Sequence, residues 1–309
     1  MSGDFFRFWR FASLSVFDSG FEQVVARIMY NVHALEKGLA QTENWAPGRG
    51  QKALKNLNDA LVVYRRHGFD TDFFAYVEGI SIIRRYKERH EGQEEHLGFL
   101  SGFVSQEFHS PEHESGFGVA GVKVVSRSSK MNNSGVGFYA LTQGRSSVRE
   151  FTGNPIDSGK VTRALRNAEK TPSVCNRQGW RVYWVEDKDL TRQVLSHQRG
   201  FAYERMPEVL LAVTVSNSTF TSPVERNQGF IDGGLFAMTI LYGLESEGLA
   251  AVPLNACLYV RDRAAIVHLL EMDPSEEVIM FIAIGEFPEE TLVPISDRRP
   301  IETSIRMRS

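Results

Sequence analysis

From residue 145 to the C-terminus two kinds of apolar run alternate, and that alternation limits the folds open to the chain. "WRVYWVED" (180–187), "EVLLAVTVS" (208–216) and "EEVIMFIAIGEF" (276–287) are short and dense in β-branched and aromatic residues, as strands are. The second has almost no polar alternation and reads as a buried strand. Between them lie helical patterns: "PIDSGKVTRALRNAEK" (155–170), "DLTRQVLSHQ" (189–198), "NQGFIDGGLFAMTILYGLESEG" (227–248) and "VRDRAAIVHLLEM" (260–272). The third of these ends at Gly248 and is too short and interrupted to cross a membrane, so its apolar faces belong to a core or a subunit interface. Strands separated by helices in this way predict an α+β domain with a mixed central sheet flanked by helices.

The N-terminal third has a different pattern. "FEQVVARIMYNVHALEKGL" stops at Gly38, "QKALKNLNDALVVYRRHG" stops at Gly68, and "TDFFAYVEGISIIRRYKERH" has Thr71 as its expected N-cap. Three such helices joined by short loops form a helical extension over 1–90. Residues 91–137 lose the periodicity and fill with Ser, Gly and Asn, as a linker or wrapping loop does, and 138–309 form the α+β domain. A total of 309 residues suits two domains, or one domain with an appendage.

Bulk properties exclude several classes. A formal net charge of -3 predicts no attraction to nucleic acid. Two cysteines, Cys175 and Cys257, make no disulfide framework and no metal pair, so a reducing, cytoplasmic setting is expected. No run of eighteen apolar residues occurs. The aromatic tip with Phe5, Phe6, Phe8, Trp9 and Phe11 does not read as a signal peptide. It is expected to pack on the protein body or a partner subunit; contact of residues 1–17 with a membrane interface is the other reading. Gly116, Gly118 and Gly121 spell G-x-G-x-x-G, but a polar loop precedes them and the strand-like "VKVVS" follows, the reverse of a dinucleotide fingerprint. His33 and Glu36 lie three apart with no second pair at matching spacing, so a satisfied buried histidine is expected and no metal site.

The stretch "GRSSVREF" (144–151) sets Arg145 and Arg149 four apart around Ser146 and Ser147. Ser147 and Glu150 fit a capping box, which predicts a helix beginning there. Cations at such a helix start oppose its dipole unless an anion lies among them, so the second reading is a phosphate seat.

Three further stretches follow in order: "TPSVCNRQGW" (171–180), "LAAVPLNAC" (249–257) and "DRRP" (297–300). Together with "GRSSVREF" they resemble the nitroreductase family, FMN-dependent enzymes that use NADH or NADPH, over roughly residues 140–303. The resemblance implies that Arg145, Ser146 and Ser147 meet the FMN phosphate and that Arg149 lies against the N1/O2 edge of the ring. It implies that Pro172, Ser173, Val174 and Asn176 belong to a loop that reaches the flavin of the other subunit. Gln178 and Trp180 fit the family's N-x-Q-P-W pattern, with Gly179 in place of its proline. Pro253, Leu254 and Asn255 match a loop whose backbone N–H faces flavin N5, and Arg298 matches a late phosphate-binding arginine. Reduction places negative charge at N1, so a cation there favours it.

The chain departs from the pattern at Ser296, where many members carry a second cation; either Arg299 substitutes or fewer cations hold the phosphate. In "SHQRGFAYERMPE" one more ring contact is expected, with Arg199 as a candidate. Cys175 has no histidine nearby in sequence and is expected to be structural. "HALEKGL" resembles the helical extension of nitroreductase-like proteins associated with bacterial polysaccharide biosynthesis.

The expected function is hydride transfer from NAD(P)H to a small organic acceptor of quinone or nitro type, by a homodimer with flavin sites at its interface. No side-chain acid or base is expected to be catalytic. Two other readings stand beside it: a flavin-binding accessory protein of a polysaccharide system with little turnover, and a flavoenzyme of altered chemistry such as dehydrogenation or ring fragmentation.

Overall fold

A computed structural model describes residues 20–42, 45–90, 98, 120–130, 135–202, 205–220 and 223–308. The aromatic tip 1–17, Gly116 and Gly118 lie outside the described residues. The chain forms two compact units, Met1–Lys123 with Leu292–Ser309, and Val124–Thr291. The division at 123/124 falls inside the expected linker 91–137, and residues 292–309, expected with the α+β domain, group with the helical residues.

In the first unit, α1 (Phe21–Leu39), α2 (Gln51–Arg66) and α3 (Phe74–Arg89) pack through a core that includes Ile28, Leu35, Leu57, Leu61, Tyr64, Tyr76, Ile80 and Tyr86. All three helices meet at Gly79, where a Cβ would lie 3.0 Å from Leu61 Cδ2 and 3.2 Å from Ile28 Cγ2. A glycine in mid-helix costs about 1 kcal/mol against alanine, and the close packing it permits offsets that cost. The expected N-cap Thr71 is displaced: α3 starts later, with Phe73 at the cap position, because Asp70 accepts the Asp72 N–H and holds 70–72 in a turn.

In the second unit, short helices α4 (Arg127–Lys130) and α5 (Phe138–Gly144) precede α6 (Ser158–Ala168). Then come β2 (Trp180–Val185), α7 (Lys188–Gln198), β3 (Val209–Ser216), α8 (Gln228–Ser246), β4 (Ala250–Asn255), α9 (Val260–Leu269) and β5 (Glu276–Gly285). Helices α6 and α7 begin at the side-chain caps Asp157 and Asp187. Strand β3 is buried along its whole length, as its unbroken apolar run requires. Both unit boundaries fall inside β1 (Val122–Ser126) and β6 (Glu290–Pro294), which pair in a separate two-stranded sheet.

The α+β class holds, but the four-stranded sheet, in order β2-β3-β5-β4, is antiparallel at every pairing where a mixed sheet is expected. Two features of the connections explain this. Lys188 Nζ, just past β2, donates to the Pro207 carbonyl at 2.7 Å, so β3 starts beside the end of β2. Strands β3 and β4, joined by α8, run the same way, but β5 lies between them. Helix α8 packs across β2, β3, β4 and β5, and Trp180 stacks on its Phe236 at 4.5 Å.

Candidate functional site

The "GRSSVREF" stretch does not start a helix. Helix α5 ends at Gly144, Arg145 is its C-cap, and residues 145–157 have no regular structure. Both arginines therefore follow a helix C-terminus, where cations are favoured, and neither the capping box nor the seat of helix N–H groups exists. The reason is tertiary. Lys130 Nζ donates to the Gly144 carbonyl and pairs with buried Glu245 at 2.6 Å, closing α5. Val148 N–H then donates to the Ala251 carbonyl at 3.1 Å, which lays the segment along the outer side of edge strand β4. Ser146, Val148 and Phe151 turn inward, whereas Arg145, Ser147 and Arg149 stay partly open. The two guanidinium groups converge on Ser147: Arg145 Nη1 donates to its Oγ and Arg149 Nη1 to its carbonyl, each at 3.4 Å. An extended chain achieves by alternation the clustering expected from a helix turn.

The 171–180 stretch is a strained turn. Cys175, Asn176 and Gln178 hold φ of 49°, 55° and 51°, a region that costs a non-glycine residue about 1–3 kcal/mol and survives only where the surroundings impose it. The surroundings here are specific. Buried Asp232 on α8 accepts the Val174 N–H at 3.2 Å and the Gln228 amide at 2.8 Å. Ser173 Oγ accepts the Gln178 N–H at 2.9 Å, and Arg177 forms an ion pair with Glu225. Pro172, Cys175, Asn176 and Gln178 are exposed. Gly179 now has a reason: a Cβ there would sit 2.5 Å from the Thr219 hydroxyl. A proline, the residue of the resembling pattern, would meet the same hydroxyl.

Residues 253–255 are expected as a loop but form the end of β4, paired as Pro253↔Ile282, Leu254↔Phe281 and Asn255↔Met280. Pro253 is tolerated because β4 is an edge strand. The Asn255 carbonyl accepts Gln198 Nε2 at 3.0 Å, and its side chain accepts the Cys257 N–H at 3.0 Å. On either side of Gln198, His197 Nδ1 lies 3.1 Å from Asp262 and Arg199 Nη2 2.8 Å from the same carboxylate. His197 is the first cause holding the Asp262 carboxyl below its ordinary range, and Arg199 works with it against desolvation. Arg199 also stacks over Tyr259 at 5.3 Å. The sequence marks Arg199 as a candidate ring contact; its partner Asp262 and the Gln198 link were not legible, since no motif joins 197–199 to 255–262.

The sheet register states which stretches come together. Asn255, Met280, Val213 and Val182 form one row, so the 255 end of β4 and the start of β2 emerge from the same end of the sheet. They do so at opposite edges, and three strand spacings place those edges about 14 Å apart. Segment 145–151 joins 253–255 along β4; the 172–178 turn of the same chain does not join them.

Arg298 belongs to the first unit, as do Ser296 and Arg299. Arg298 is exposed and donates to the Ser296 carbonyl. Arg299 lies over the Phe73 and Phe74 rings at 5.5 and 5.7 Å. The His33 expectation is inverted: His33 is exposed and its neighbour Glu36 is the buried group, 1% exposed. No group of three metal-binding side chains occurs among the described residues, and none of their helices is long and apolar enough to cross a membrane.

Comparison with known proteins bears on the second unit. A sequence model described as Nitroreductase family matches residues 142–202. A 5,6-dimethylbenzimidazole synthase of Rhodospirillum rubrum is 47% identical over 51 residues, which is 16% of this chain and 24% of that protein. The match thus spans about a quarter of the curated relative. Among solved structures, a nitroreductase-like protein of Streptococcus mutans is 18% identical, with TM-score 0.48, over 56% of this chain and 98% of its own. A Desulfovibrio desulfuricans protein solved in complex with FMN is 19% identical, with TM-score 0.46, over 55% and 96%. Residues 142–202, the stretch that matches this model, carry both the Arg145–Arg149 segment and the strained 172–178 turn.

Proposed function

We propose that the chain is an FMN-dependent oxidoreductase that works as a homodimer and passes hydride from NADH or NADPH to a small organic acceptor. One observation carries the reading: Arg145, Ser147 and Arg149 share the open side of an extended segment fixed to β4 at Ala251. Two guanidinium groups and a hydroxyl on one side suit an anion with several acceptor oxygens, as a phosphate is. FMN, when bound, supplies two-electron chemistry, taking hydride from the nicotinamide and giving it to the acceptor.

The protein's own residues orient and tune. Ser147 serves the phosphate with Arg145 and, as the resemblance implies, Arg298, whereas Ser146 is buried and its hydroxyl donates to the Gly144 carbonyl. Arg149 faces the ring edge where negative charge grows. Pro253, Leu254 and Asn255 present backbone near N5 from a rigid strand end, and Gln198 fixes the Asn255 peptide. Pro172, Ser173, Val174, Asn176 and Gln178 contribute from a second copy. Two observations support that copy: the 172–178 turn and segment 145–151 lie at opposite sheet edges, and α8 exposes Phe230, Ile231 and Leu235. Strain held in an exposed turn suits a ligand contact formed before the ligand arrives.

The test is the absorption spectrum of the purified chain, identification of released cofactor, and steady-state NAD(P)H oxidation with a quinone. A yellow dimer that releases FMN and turns over is expected. A colourless chain that takes up no added FMN overturns the proposal.

A further inference from the structure

Within the first unit, residues 295–299 cross the helices as a strap held at a few defined points. Ile295 N–H donates to the Gly121 carbonyl at 2.9 Å. Glu36, on α1 and 1% exposed, accepts the N–H of Gly121 and the N–H of Ser296 at its Oε1, both at 3.1 Å. Its Oε2 accepts the Ser296 hydroxyl at 3.2 Å, with His33 Nδ1 at 3.6 Å. Three residues on, Arg299 lies over the Phe73 and Phe74 rings at the start of α3. Ser296 has a φ of 48°, so the closed strap is held against its own backbone preference. Past Arg299 the chain is loosely covered: Ile301, Ile305 and Met307 are exposed.

An acid is enclosed beneath the strap. Phe74 and Glu78 lie one turn apart on the same side of α3, so the strap that sets Arg299 over Phe74 also covers Glu78. Glu78 is 1% exposed and its Oε1 has no hydrogen-bond partner. A charge placed there loses its water and gains no donor at that oxygen, so the closed arrangement suits an uncharged carboxyl. Burial first, then Glu36 and Asp297, raise this carboxyl to about 8, and Arg298 acts the other way. The charged groups that act on Glu78 are thus Glu36 from α1 and Asp297 and Arg298 from the strap itself.

We propose that residues 295–299 are a pH-operated latch, closed on α1 and α3 while the enclosed Glu78 is uncharged and driven open when Glu78 must carry charge. Opening frees Ile295 and Ser296 from Gly121 and Glu36 and lets water reach Glu78, whose carboxyl then returns toward the ordinary 4.5. Between that value and about 8 the closed strap keeps a proton that the open strap has lost, so each pH unit favours opening about tenfold. Above about 8 both forms have lost it and the dependence ends. The latch lies wholly in the first unit and is independent of what the second unit binds.

The test is hydrogen exchange of the full chain across roughly pH 5.5 to 9.5, corrected for the intrinsic rate at each pH. It is read at the Ile295 and Ser296 amides, with buried Leu57 and Leu61 of α2 as references in the same unit. The opening constant at 295 and 296 is expected to rise about tenfold per pH unit and to level off above about pH 8, while Leu57 and Leu61 exchange at least about tenfold more slowly. Glu78→Gln, uncharged at every pH, should abolish the slope. Ser296→Ala removes one tie and leaves Glu78 in place, so it should raise opening at every pH with the slope kept; it remains informative where Glu78→Gln fails to fold. A flat wild-type profile, an unchanged slope in Glu78→Gln, or a slope lost in Ser296→Ala overturns the latch. Strap and α2 amides that exchange at one rate with one slope overturn it as well, because Glu78 then acts on the whole unit and no separate strap opens.

Discussion

The Lys130–Glu245 pair gives the sharpest test of how the arginine segment is held. Both side chains are almost fully buried, 5% and 3% exposed, and their 2.6 Å contact joins α4 to α8. Lys130 Nζ also donates to the Gly144 carbonyl, the last of α5, and lies 5.7 Å from the Phe287 ring centre. Replacing it by methionine keeps the stem and removes the charge, so Glu245 keeps a buried carboxylate without this ammonium. Breaking a buried pair from one side costs about 3–5 kcal/mol. Changing both partners, Lys130→Met with Glu245→Leu, removes the stranded charge and should recover most of that loss, leaving the Gly144 carbonyl at about 1 kcal/mol. Urea unfolding followed by tryptophan fluorescence reads this directly, since Trp180 and Trp184 report on the sheet of the same unit. Lys130→Met should also speed FMN release, because Arg145 follows Gly144 directly. A loss below about 0.5 kcal/mol for Lys130→Met, or a double variant no more stable than the single one, would refute the reasoning.

Gly179→Ala should destabilise by about 1–3 kcal/mol through the clash with Thr219, and adding Thr219→Ala should restore the melting temperature; absence of rescue would mean the turn, not the contact, requires glycine. Arg298→Gln should weaken FMN binding by about 1.5–3 kcal/mol with the bound flavin's reduction potential little changed. Arg149→Gln should instead lower that potential and slow reduction by NAD(P)H, as a redox titration of both variants will show; an unchanged potential would make Arg149 a phosphate ligand. Glu78 binds its proton more tightly in the folded chain, near pH 8, than an ordinary glutamate does. Its contribution to stability is therefore complete below about pH 4.5 and lost as pH rises through 8, and Glu78→Gln should flatten the urea midpoint over that window and raise it above pH 8.

Helical periodicity and dense β-branched runs made α1 to α3, β2, β3, α7, α8 and β5 legible in the sequence, because local spacing of apolar residues encodes which side of an element must leave water. The stretches of the proposed site stand out as well, as four residue patterns in order. Their geometry was not. "GRSSVREF" carries a sound local signal for a helix start, and it loses to the hydrogen bond between Val148 and Ala251, a partner a hundred residues away. "HALEKG" draws attention to its histidine, yet the buried group is Glu36, because only the packed helices decide which of two adjacent turns faces Gly121 and Ser296. The positive φ angles at Cys175 and Gln178 have no signature in residue types that ordinarily avoid them, whereas asparagine, as at Asn176, tolerates that region. They are imposed by Asp232, from a helix far along the chain, which accepts the Val174 N–H, together with Ser173, which accepts the Gln178 N–H, and the Arg177–Glu225 pair. The sequence by itself determined the elements and the residue types of the site, since those depend on neighbours a few positions away; the tertiary structure alone decided their conformations and partners, since buried polar groups must find donors wherever the fold brings them.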